Sequence, residues 1–97
     1  MESSECFGAK WRKLIRKHIH EKFQIIQYRH KVPKNILSKS LKDVDKIPFF
    51  TSKPQTIAQI ILIINLEELV EKKYFTRYFG IAKQTISKWK PEIEQYI

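Results

Sequence analysis

Between Gly8 and about Gln27 the apolar residues Trp11, Leu14, Ile15, Ile19, Phe23 and Ile26 recur at three- and four-residue spacing. That period predicts an amphipathic helix with these side chains turned to a core. Its other face carries Lys10, Arg12, Lys13, Arg16, Lys17 and Lys22. Pro33 ends the element, because the residue before a proline avoids the helical region. A short second helix is expected over Asn35 to Val44, with Ile36, Leu37, Leu41 and Val44 inward. Asp45 to Pro54 contains two prolines and Phe49-Phe50, and reads as an irregular connector whose aromatics anchor onto the core.

Ser52 to Leu66 admits two readings. The run Ile60-Ile61-Leu62-Ile63-Ile64 has strong β propensity. Pro54 suits a helix start, however, and Ile57, Ile60, Ile61 and Ile64 share one helical face. The segment is read as a buried helix, with a strand as the competing assignment. Asn65 with Glu68 three residues on resembles a capping arrangement, which starts another helix at Leu66. That helix is expected to run through Phe75 and Phe79 to Gly80. A short helix from Ala82 to Trp89 follows. Pro91 stops it, and Pro-Glu-Ile-Glu begins a last turn.

The pattern is all-α: a small helical bundle with an N-terminal basic amphipathic helix. Its organisation reads as a tail at 1–7, a basic helical region at 8–50 and a compact unit at 51–97. At 97 residues the chain holds one core rather than two. Charge is unevenly placed, with 13 Lys/Arg against 5 Asp/Glu in residues 1–53 and 6 against 5 in residues 54–97. Such a surface attracts a polyanion, whether nucleic acid, anionic lipid or an acidic protein.

Cys6, the one cysteine, excludes an internal disulfide. The opening MESSECFG lacks a basic region followed by an apolar one, so no signal peptide is expected. The longest apolar stretch, Ile57 to Leu66, is interrupted by Gln59 and Asn65 and falls short of the roughly 20 residues a membrane helix needs. An intracellular protein with no membrane partner is expected.

The segment from Lys72 to Lys90, KKYFTRYFGIAKQTISKWK, carries the most chemistry. Gly80 falls where a tight turn needs positive φ, which glycine accepts at least cost. Phe79 and Ile81 flank it. With Phe75, Ile86 and Trp89 they read as a small core fixing the angle between two helices. This stretch resembles a helix-turn-helix of the Cro/repressor type, as found in bacterial and phage transcription regulators.

The resemblance implies that the outward residues Lys83, Gln84, Ser87 and Lys88 enter the major groove as base contacts. Their chemistry suits that role, since glutamine pairs with adenine and lysine with guanine acceptors. Lys72, Lys73, Arg77, Thr85 and Lys90 are then phosphate contacts. Two residues depart from the family pattern. Thr76 stands where alanine is usual, and its hydroxyl can bond a carbonyl one turn earlier. Ala82 stands where a serine-like helix cap is usual.

The function implied is sequence-specific binding of double-stranded DNA, as a transcriptional regulator acting as a homodimer, cytoplasmic (nucleoid-associated) or nuclear. Two alternatives stay open. One is an interaction module that docks an acidic partner through the basic N-terminal helix. The other is a non-specific nucleic-acid binder. The region at 8–50 is then an auxiliary contact or dimerisation region, with Lys10, Arg12, Lys13, Arg16 and Lys17 as its auxiliary basic face.

His18 and His20 lie two apart on a helix and point to different sides, and His30 and Cys6 add no metal-ligand spacing. Glu67, Glu68 and Glu71 read as exposed charges beside Lys72 and Lys73. Gly8 and Gly80 are the only glycines, too few for a phosphate-binding loop. No enzyme, metal or cofactor is expected.

Overall fold

Pro54–Leu66 forms the helix about which the rest is arranged. The structure is a computed structural model that describes residues 7–50 and 52–97. Among the described residues five helices follow in order: α1 (Phe7–His30), α2 (Asn35–Val44), α3 (Pro54–Leu66), α4 (Lys72–Phe79) and α5 (Lys83–Glu94). No strand occurs among the described residues, so the fold is all-α. The tail expected at 1–7 lies, up to residue 6, outside the described residues.

The isoleucine-rich segment is helical, against its local β propensity. Pro54 occupies the first turn, where its missing N–H costs nothing, after an extended Lys53. Ile57, Ala58, Ile60, Ile61, Leu62, Ile63 and Leu66 are all buried. A helix apolar on every side needs neighbours on several sides, and α1, α2 and α5 each pack against it. A strand would expose backbone hydrogen-bonding groups that no other strand is present to pair.

One buried cluster runs from Trp11 in α1 through Val44 and α3 to Phe79 and Ile93. The basic region at 8–50 and the unit at 51–97 are therefore two parts of one core.

Several expectations need correction. Leu14 is 45% exposed. The buried seam of α1 is Trp11, Ile15, Ile19, Phe23 and Ile26, and Leu14 lies to its side. The same helix continues past Gln27 to His30, where Lys31 in the left-handed region (φ 52°) turns the chain. Its N–H donates to Gln27 O at 2.9 Å.

Asn65 caps no helix. Leu66 ends α3, a turn follows in which the N–H groups of Leu69 and Val70 donate to Leu66 O, and α4 begins only at Lys72. The Asn65 side chain is drawn the other way, towards α2. Its Nδ2 donates to Asp43 Oδ2 at 2.9 Å and Ser40 Oγ at 3.1 Å. It also bonds Ile61 O, and its Oδ1 accepts from Lys39 at 2.6 Å.

Pro91 does not stop α5, which runs unbroken to Glu94. The proline deprives the Ser87 carbonyl of its helical donor, on a side where both residues face solvent. Ile93, fully buried, continues the inward stripe of Ile86 and Trp89 and holds the last turn in place.

Candidate nucleic-acid interface

The interface candidate is built on the turn between α4 and α5. On α4, Phe75 and Phe79 lie one turn apart, buried, with ring centroids 6.0 Å apart. Gly80 ends the helix in the left-handed region (φ 69°, ψ 22°), its N–H donating to Thr76 O at 3.1 Å. Ile81 is buried directly after it. Ala82 is extended at the N-cap and offers no side-chain cap. The first bond of α5 runs from Ile86 N–H to Ala82 O at 3.1 Å.

The buried Gln59 of α3 donates from Nε2 to Phe79 O at 3.0 Å, fastening the turn to the core. The apolar pattern treats Gln59 only as a break in the isoleucine run. A polar residue inside such a run is the signal that it bonds something buried.

α5 is positioned by Ile86 and Trp89, both half-buried against the core. Trp89 packs edge-on against Phe50 of the connector, centroids 5.4 Å apart. Phe50 in turn meets Trp11, so the connector aromatics do anchor, although Phe49 remains half-exposed. With Ile86 and Trp89 inward, Lys83, Gln84, Ser87 and Lys88 are all exposed together, and Thr85 is half-buried beside them. The Lys88 ammonium lies 5.5 Å from the Trp89 ring centroid.

Lys72, Lys73 and Arg77 are exposed on α4. Lys73 lies 3.6 Å from Glu71, an exposed pair of little energetic weight that an incoming phosphate can replace. The Thr76 hydroxyl donates to Lys73 O at 3.0 Å, the bond expected of it. Lys90 is differently placed. Its Nζ lies 2.6 Å from Glu67 Oε2, and both side chains are largely covered. The hydrogen bond to Glu67 holds the ammonium above its ordinary lysine value, against the opposing pull of burial. Glu67 is thus a half-buried partner rather than one of three free surface charges.

The basic face of α1 is divided. Arg12 donates to Ile47 O at 2.9 Å, and Arg16 pairs with Asp45. Both clamp the connector. Lys10, Lys13 and Lys17 are exposed. His18 bonds Glu21, and His30 packs against the rings of Tyr74 and Tyr78. Among the described residues no three metal-ligating side chains converge.

A patch not singled out by the sequence pattern joins α1 to α4. Tyr74 and Tyr78 stack at 5.5 Å, with the Arg29 guanidinium 5.1 Å from the Tyr78 centroid. Two tyrosines one turn apart beside Lys73 and Arg77 are its sequence trace.

No helix among the described residues is long and apolar enough to cross a membrane. Comparison with known proteins returns no match: no family model, curated protein or solved structure matches this chain.

Proposed function

We propose that this chain binds double-stranded DNA through α4, the Gly80 turn and α5, with the exposed side of α5 in the major groove. One observation carries the reading. Lys83, Gln84, Ser87 and Lys88 are exposed together at the start of a helix that follows the left-handed Gly80 turn and packs on α3. Lysine and glutamine exposed at a helix start are donors suited to base edges. Lys72, Lys73 and Arg77 supply cations for backbone phosphates on the neighbouring helix. Lys90, engaged by Glu67, contributes less. A sequence-specific regulator acting as a homodimer on paired half-sites is the biological role that fits this chemistry.

Selection of bound duplexes from a random DNA pool at moderate salt tests it. An enriched motif, above all an inverted repeat with half-sites about one helical turn apart, supports the reading. Retention without enrichment indicates backbone binding alone, and no retention overturns it.

A second reading rests on α1. Lys10, Lys13 and Lys17 form an exposed stripe that includes the uncovered Leu14, a surface suited to an acidic protein with an apolar anchor. Loss of partner binding in Leu14→Ser, with duplex retention unchanged, would favour it.

A further inference from the structure

Between α3, α4 and α5 the surface opens into a groove of about 540 Å³. Its accessible apolar floor is the half-buried Ile86 and the exposed Pro91 of α5, since Ile63 of α3 and Phe75 of α4, which also border it, are buried. Lys72, Lys73, Lys83 and Lys90 stand around it, against a single carboxylate, Glu67. Lys90 already occupies Glu67. Lys73 leans on Glu71. Lys72 and Lys83 have no carboxylate partner among the described residues, although both border the groove.

We propose that this groove binds a small amphipathic anion, with an aliphatic or aromatic body against Ile86, Pro91 and the lysine stems and a carboxylate or sulfonate between Lys72 and Lys83. The volume falls within the roughly 300–1,000 Å³ usual for small-molecule sites. Charge selects the occupant. Excess positive charge over a low-dielectric floor concentrates anions. A bare inorganic anion gains nothing from the floor, and a neutral apolar molecule gains nothing from the lysines.

Competition with DNA follows, and this part rests on the DNA-binding reading. The anion would engage Lys72 and Lys83 and cover Ser87, which borders the same groove. A bound anion and a bound duplex would then exclude one another, making the interface sensitive to a metabolite-sized ligand.

The test is a titration of the free, full chain with 1-naphthoate, followed by two-dimensional NMR of the backbone amides, beside the neutral 1-naphthamide. The expected result is saturable shifts centred on Thr76, Ile86 and Ser87, with naphthoate at least tenfold tighter than the amide. Lys83→Glu and Lys72→Glu should each weaken naphthoate at least fivefold while circular dichroism stays unchanged. Both are exposed, and an acid in the first turn of a helix favours it. Shifts scattered over α1, no saturation, or equal affinity for the two compounds would overturn the site. Release of retained duplex on adding naphthoate supports competition, and duplex retained with the groove occupied overturns it. A chain that retains no duplex fails the DNA reading alone, and the titration still decides the groove.

Discussion

The side-chain amide of Gln59 donates to the main-chain carbonyl of Phe79 at 3.0 Å, across twenty residues of sequence. A helix end leaves its last carbonyls without partners, and here a side chain from the central helix supplies one. The consequence reaches beyond stability. Phe79 precedes Gly80, so the bond fixes where α4 stops and hence where α5 points.

Gln59→Leu keeps the volume but removes the donor and leaves a carbonyl unpaired in a buried setting. Urea unfolding should show a loss of about 1–3 kcal/mol. Amide exchange at Gly80 and Ile81 should quicken more than exchange in α1. A uniform change across all helices would contradict the local role.

Gly80→Ala tests the turn. A Cβ built there meets nothing within 4 Å, so the cost is backbone conformation alone. With φ at 69° it should be about 1–2 kcal/mol, and Gly80→Asn should lose less because asparagine tolerates the left-handed region. Thermal melts of the two variants rank them directly.

Asn65→Leu should weaken the α2–α3 junction. Asp43 is fully buried, and Asn65 donates to it at 2.9 Å. The flanking ammonium groups of Lys39 and Lys46 stand 3.5 and 3.4 Å from its oxygens. Losing a hydrogen bond to a buried carboxylate should cost about 1.5–3 kcal/mol. In a double-mutant cycle with Asp43→Asn the two losses should be strongly non-additive. Additive losses would show that the pair is not coupled.

Alkaline pH should release the Lys90–Glu67 link. The Lys90 ammonium is held above the unperturbed value of 10.5 by its hydrogen bond to Glu67. A raised folded value means the stabilisation is complete below about 10.5 and is lost as pH rises through the folded one. Melting temperature compared between the native chain and Lys90→Met should therefore differ most below about pH 10.5 and converge as pH rises past it. A gap that stays constant across that range would mean packing, not charge, accounts for the effect.

Within the proposed DNA interface, Gln84→Ala should cost about 1–3 kcal/mol at one base position. Lys73→Ala should weaken all sequences alike and reduce the salt slope by about one. Fluorescence anisotropy on selected and scrambled duplexes separates the two, and equal losses on both for both variants would remove the distinction between base and phosphate contacts.

What the sequence carried by itself was everything encoded in contiguous residues. α2 lies over Asn35–Val44 as its apolar spacing predicts. Pro54 opens α3, and Gly80 takes positive φ, because both signals reside in one residue's own backbone preferences. The exposed set at Lys83, Gln84, Ser87 and Lys88 follows from helical period once Ile86 and Trp89 face the core.

Tertiary structure decided the rest, wherever a side chain's partner lay far along the chain. Asn65 had a local capping role available and took a bond to Asp43 instead, because the buried carboxylate needed a donor. Arg12, Arg16 and Lys90 look alike as surface cations in one dimension. Folding brings Ile47 O, Asp45 and Glu67 within reach of them and leaves Lys10, Lys13, Lys17, Lys72 and Lys83 exposed. Pro91 stays helical because Ile93 is buried beyond it, and Leu14 stays exposed because no helix among the described residues covers that side of α1. Local preference sets which elements form. The choice of partner for each polar or charged group is a competition among distant groups, settled only when desolvation makes an unpaired one costly.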